Sequence, residues 1–241
     1  MIKLIKFILL LFDNYQSKKI LSFIKLKLKN HEDKNIFFDI GAHKGETCIQ
    51  FLNKFNFKQA HVFEPEPETY NVLEKNIKNK FKDVNIHLNN FALGEKNTVL
   101  DINSTIESSS TTIHDINENT DYFLRKKKVL GLSKNEKFFV KKKINMVNVL
   151  DYIEKNKLTN IDVLKIDTEG YEYYILKSFG KFLKNVKIIY FEHHYDLMIK
   201  KGYFFSDISK LLLNLNFEQG YKHKMYFRKS FEYIYINKNL L

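Results

Sequence analysis

Two acids and two glycines carry the first chemical signal in the chain. In "DIGAHKG", Asp39 ends an apolar run that begins at Ile36, and Gly41 and Gly45 follow before helical periodicity sets in. Gly41 lets the backbone approach a ligand closely, and Gly45 lets the start of the helix pack against the sheet. A dinucleotide site would show G-x-G-x-x-G and rest a pyrophosphate on the helix start, where Asp39 would repel it. The spacing D-x-G-x-x-x-G calls instead for a ligand with a cationic group and no phosphate. Glu64 closes the next apolar run, 23 residues beyond Gly41. An acid there accepts hydrogen bonds from ribose hydroxyls in nucleotide-binding folds.

S-adenosyl-L-methionine satisfies both acids, having an ammonium, a sulfonium and a ribose with both hydroxyls free. The alternative makes Asp39 a helix cap and Glu64 a solvated side chain. A second group of candidates lies in "KIDTEG" and "YFEHHYD". Methyl transfer to a hydroxyl is an in-line displacement helped by positioning and by a base within hydrogen-bond reach. Asp167, at the end of a strand, is the first candidate for that base or for an acid that orients the acceptor, with Glu169 in the turn and Gly170 opening the next helix. The alternative is structural: Glu169 caps the helix and Asp167 ties down the turn. Glu192, His193 and His194 end the next strand, and one of the histidines, with His193 as the first choice, is a candidate base or hydrogen-bonding group. Side chains alternate along a strand, so Glu192 and His194 share one face and His193 takes the other. Two acids on neighbouring strands are not enough to assign Mg²⁺, and no metal is expected.

These residues need an open sheet to converge. Short apolar runs alternate with segments of helical period: Ile36 to Ile40, "AHVF", "VNIHL", "IDVLKID", "VKIIYFEHH" and the aromatic "FEYIYIN" read as strands. Between them lie helical faces such as Cys48, Phe51, Leu52 and Phe55, or Tyr70, Leu73 and Ile77, with Pro67 suited to a first helical turn. The implied fold class is α/β, a Rossmann-like, doubly wound, mostly parallel seven-stranded sheet with helices on both faces. Residues 1–34 read as an N-terminal helical extension and residues 35–241 as the main domain. The alternation breaks at about 95–145, where "TVLDIN" and "FFVKKKINMV" suggest a hairpin-like insertion with a mobile middle, carrying a serine/threonine run and two lysine clusters. Placed over the ligand, this insertion could cover an acceptor.

Composition narrows the partners. The formal charge is +12, which favours anionic surfaces. Yet Arg125 and Arg228 are the only arginines, and arginine is the better bidentate reader of phosphate and guanine, so nucleic acid is disfavoured. Cys48 is the only cysteine, which excludes an intrachain disulfide and a cysteine-rich zinc site and fits a reducing cytoplasm. "MIKLIKFILLLF" looks like a secretory start, but Asp13 and Asn14 follow without a small-residue cleavage site, and the run is too short to span a bilayer. A helix packed on the domain is the expectation. With Lys3, Lys6, Lys18 and Lys19, residues 1–30 have a surface-lying membrane helix as the alternative.

The ordered set "FFDIGAHKGETC", "HVFEPEPETYNVLEKNI", "NNFALGE", "SSST", "VNVLDYI", "LKIDTEGYEYYILKS" and "IIYFEHH" resembles the FkbM family of class I S-adenosylmethionine-dependent methyltransferases from about residue 35 to 195. His43 departs from the pattern, since the family commonly has asparagine there. The resemblance implies that Asp39, Gly41, Ala42, His43 and Gly45 line the methionine end of the cofactor, that Glu64 holds the ribose, and that Asn90, Phe91 and Ala92 lie beside the adenine. The residues alone leave "NNFALG" open to an ordinary turn. The implied activity is O-methylation of a small-molecule or glycan acceptor, such as a sugar or other secondary metabolite. Alternatives are an RNA methyltransferase and a non-catalytic cofactor-binding module at a membrane.

Overall fold

The computed structural model describes residues 2–29, 36–78, 80, 81, 83–105, 111–129, 138–226 and 228–241. Its centre is β1, Ile36–Ile40, buried at every position, as a strand flanked on both sides and covered on both faces must be. Each apolar strand leads into a helix. β1 leads into α2 (Glu46–Lys54), β2 (Gln59–Phe63) into α3 (Pro67–Ile77), and α3 into β3 (Asn85–Asn89). On the other side, α5 (Val149–Lys155) leads into β8 (Ile161–Ile166), followed by α6 (Glu172–Phe179), β9 (Val186–His194), α7 (Phe205–Asn214), β10 (Phe217–Lys224) and β11 (Ser230–Asn237).

The strand order is β10-β11-β9-β8-β1-β2-β3, with β11 alone running against the rest. Alternation along the strands makes two cores. Phe38, Leu164 and Ile189 pack with α5, α6 and α7, whereas Phe37, Val163 and Ile188 pack with α2 and α3. The winding reverses between β1 and β8, whose carboxyl ends therefore flank a crevice.

The sequence pattern did not anticipate β10. Among the described residues it forms the sheet edge, pairing only with β11, and Glu218, Gln219, Lys222 and Lys224 point to solvent. An edge strand needs charged residues rather than apolar ones, so its sequence carries little strand signal.

α1, Ile2–Lys27, is seated on the second face of the sheet by Ile20, Leu21 and Ile24, with Leu28 just beyond its end. Lys18, Lys19, Lys25 and Lys27 are exposed. Among the described residues no helix is long and apolar enough to cross a membrane.

The expected insertion is a second sheet, with order β4-β7-β5-β6. β5 (Thr98–Thr105) and β7 (Phe139–Asn148) pair antiparallel over their length as the hairpin. β4 (Ala92–Gly94), β6 (Thr111–Thr112) and a helix, α4 (Asp121–Val129), complete it. Ser108, Ser109 and Ser110 of the "SSST" motif lie outside the described residues, as do residues 130–137.

Candidate active site

The carboxyl ends of β1, β2, β8 and β9 open into a cavity of about 370 Å³, and the insertion forms its other wall. That volume lies at the lower end of the roughly 300–1,000 Å³ usual for small-molecule sites. Of the candidate residues named from the sequence, Gly41, Ala42, His43, Glu64, Ala92, Asp167 and Glu169 line it. Asp39, Gly45, Asn90, Phe91 and His193 do not.

Asp39 lies beneath the cavity. It is fully buried, and its Oδ1 stands 2.9 Å from Nζ of Lys165, its register partner on β8. The lysine also donates to the Gly41 carbonyl at 3.0 Å and lies 3.7 Å from Asp167 Oδ2. Burial pushes the Lys165 ammonium down, but Asp39 and Asp167 outweigh it and its pKa is raised. The first cation that Asp39 serves is thus part of the protein. A lysine inside the apolar run "DVLKI" was the available signal, because a buried charge requires a partner.

The glycines follow from packing. Gly41 has φ of 79°, and a Cβ there would stand 1.9 Å from the Asp167 carbonyl oxygen, so its small size serves the close approach of the β8–α6 turn. Gly45, with φ of 89°, faces Leu73 and Ile77 of α3 rather than the sheet. Both turns are brought together over the switch point.

Glu64 is 6% exposed. Its Oε2 accepts from the His43 N–H at 2.9 Å and its Oε1 from the Glu66 N–H at 3.0 Å, which fixes the carboxylate and leaves each oxygen a further lone pair. Burial pushes its pKa up to about 7, against the pull of those two N–H groups. Asn90 does not reach the cavity because its Nδ2 donates to the carbonyls of Glu64 and Pro65, at 2.9 and 3.2 Å. Phe91 turns toward Phe63 and Tyr152 in the core. The cavity wall beside Glu64 is instead formed by Pro65, Ala92 and Leu93.

At the opposite end His194 is the centre of charge. Its Nε2 is 3.2 Å from Glu169 and 3.4 Å from Glu192, and its Nδ1 is 3.5 Å from Asp196. Burial pushes the imidazole down, but the three carboxylates outweigh it and hold its pKa up at about 10. Burial also lifts Glu192, up to about 7, with His194 opposing. His193 points the other way, among Tyr195, Tyr203 and Phe205, where burial drops its pKa to about 3. His193 therefore lies off the cavity, and His194 is the histidine of this strand end that lines it, as the alternation along the strand requires. Nor does Glu169 cap α6. Glu172 ties the turn, accepting from Thr168 N at 3.2 Å, Thr168 Oγ1 at 3.1 Å and Gly170 N at 2.9 Å, and it takes the Tyr203 hydroxyl at 2.6 Å on its other oxygen. Tyr122 of α4 and Arg228, on the β10–β11 connection, complete this end and were not foreseen. Among the described residues no group of three or more His, Cys, Asp or Glu side chains is arranged to hold a metal ion.

Sheet order, switch-point cavity and strand-end acids define the class I S-adenosylmethionine-dependent methyltransferase fold. Two solved structures with the cofactor bound share it: magnesium protoporphyrin IX methyltransferase from Synechocystis (TM-score 0.50, 6% identity, 95% of this chain and 81% of that one) and Streptococcus pneumoniae Sp1610, provisionally a tRNA (m1A22) methyltransferase (TM-score 0.50, 12% identity, 92% and 72%). The chain belongs to the FkbM methyltransferase family, since residues 39–222 match its methyltransferase FkbM domain. An FkbM methyltransferase from Methylobacillus flagellatus is similar over 84% of this chain at 14% identity and TM-score 0.49, and the match spans 44% of that longer protein. No curated protein matches the sequence.

The cofactor is S-adenosyl-L-methionine, and the residues present suit it. Glu64 offers fixed lone pairs for a ribose diol, the Gly41–Ala42 turn adds no bulky side chain to the wall, and Glu46 and Asp167 supply negative charge for its cationic end.

Proposed function

We propose that this chain is an O-methyltransferase acting on a hydroxyl of a sugar, glycan or other secondary metabolite, with Asp39 and the Gly41–Gly45 turn supporting the methionine end. S-adenosylmethionine supplies an electrophilic methyl group. The observation that carries the reading is the carboxylate-rich far end of the cavity: Glu169 and Glu192 beside His194, with Asp167 on the neighbouring strand end, beneath the insertion. Carboxylates accept hydrogen bonds from hydroxyls, and one whose pKa lies near neutrality can take a proton as the acceptor oxygen loses it. Glu192 meets that condition, Asp167 is placed to orient the hydroxyl, and His194, held protonated, stabilises the ionised carboxylates. A phosphodiester at the same place would meet three acids, which disfavours RNA despite the net charge. Incubation with labelled methyl donor tests the reading against pools of glycans, nucleotide-sugars and RNA. Label in the hydroxyl-bearing small molecules supports it, label in RNA replaces it, and cofactor binding without transfer to any pool favours a non-catalytic module. The same reading keeps the protein in the cytoplasm and gives residues 1–30 a contact with an anionic membrane face, supported by the exposed lysines of α1.

A further inference from the structure

Glu66 is a carboxylate with no place in the chemistry above, yet it is 1% exposed. It is the N-cap of α3: Oε2 accepts from Thr69 N at 2.7 Å and Thr69 Oγ1 at 2.6 Å. Its Oε1 receives Lys142 Nζ at 2.6 Å. Lys142 comes from β7 of the insertion and also reaches the exposed Glu68, at 3.0 Å. Because the Glu66 N–H is one of the two donors that fix Glu64, an unbroken chain of contacts runs from the insertion to the ribose acid.

We propose that Lys142 is a positioning residue for S-adenosylmethionine: by neutralising Glu66 it holds the β2–α3 turn in the form that aims Glu64 into the cavity, so that cofactor affinity depends on the seating of the insertion. The inference rests on Glu64 being a ligand of the cofactor. Without Lys142, the buried Glu66 anion lies close to Glu64 with no cation to offset it, and the least costly relaxation swings it toward water. That movement draws its own N–H off Glu64 and raises the repulsion the cofactor's hydroxyls must overcome.

The test is calorimetric titration of S-adenosylmethionine into wild type, Lys142→Met, Lys142→Arg and the neighbouring exposed Lys143→Met. Lys142→Met should raise Kd roughly tenfold, the loss expected for one charge-assisted contact. Lys142→Arg should recover most of the affinity, and Lys143→Met, of equal charge change, should stay within about twofold of wild type. In turnover, Lys142→Met should raise the KM for the cofactor and leave kcat within about twofold, which a general loss of fold would not do. Should Lys142→Met not fold, Lys142→Gln keeps a donor while removing the charge and should show the same rise. Wild-type affinity in a folded Lys142→Met or Lys142→Gln overturns the proposal alone, as does an equal loss in Lys143→Met. A wild type that binds no cofactor overturns the placement at Glu64 as well.

Discussion

Glu64 makes cofactor binding and folding respond to pH in opposite directions. Its pKa rises from an ordinary 4.5 to about 7 in the fold, chiefly through burial. Between those values the folded chain binds more protons than the unfolded one, so stability falls as pH rises and levels off above about 7. At about 1.4 kcal/mol per pKa unit this costs at most about 3.5 kcal/mol. With Glu64 as the ribose ligand, cofactor binding should reverse the preference, because ribose hydroxyls would donate to the ionised carboxylate. If that form alone binds well, Kd at pH 6 is weaker than the alkaline limit by about elevenfold, and at pH 7 by about twofold. Calorimetric titration from pH 5.5 to 8.5 with wild type and Glu64→Gln reads this directly. The cofactor's own amine titrates near 8 in both proteins, so the ratio of the two Kd values isolates Glu64. Affinity in Glu64→Gln should be lower at pH 8 and lack the fall below 7. A ratio that does not change with pH would refute the assignment of Glu64 as the ionised ribose ligand.

Three further outcomes follow from the same geometry. Glu192→Gln should lower kcat by roughly 10²–10⁴-fold and abolish a rise of rate through pH 7, while cofactor Kd stays within about twofold; a retained pH profile would exclude Glu192 as the base. Lys165→Met leaves Asp39 buried with its ion-pair partner removed and should cost about 3–5 kcal/mol of stability, read as a drop in denaturation midpoint; a change under 1 kcal/mol would mean that the pair contributes little. For the N-terminal segment, sedimentation with phosphatidylcholine vesicles containing phosphatidylglycerol should pull down the full chain at low salt and release it at high salt, and equal recovery with neutral vesicles would contradict an electrostatic contact.

The sheet was legible because its central strands are mainly apolar runs with acids at or just beyond their carboxyl ends, a pattern that buried parallel strands and ligand-facing turns both require. Edge strand β10 was not, since an edge selects for charge. The site was legible at the level of backbone position and less so at the level of side-chain direction. Asp39 and Glu64 both end strands, but Asp39 turns down to Lys165 while Glu64 turns out to the cavity, and only the cross-strand partner decides which. Alternation did distinguish Glu192 and His194 from His193, once the inward face was known. Contacts from the insertion left no local signature, because Lys142 and Glu66 are 76 positions apart.

The insertion is fastened to the turns after Glu64 and Glu169 and to the segment beyond His194. Lys142 holds the turn after Glu64. Thr112 Oγ1 donates to the Glu169 carbonyl at 2.8 Å, and His114 Nε2 to that of Gly170 at 2.9 Å. Beyond His194, Asn117 N donates to the Met198 carbonyl at 2.7 Å, and Lys200 N to that of Asp115 at 3.0 Å. The candidate acids therefore stand at the sheet ends, while Ile102, Thr111, Ile113 and Tyr122 of the insertion shape the remaining wall. Under the proposed function, acceptor choice would change through these wall residues while the acids stay in place. The three fastenings impose the limit, because a substitution that loosens one of them also displaces the turn that carries Glu64, Glu169 or His194.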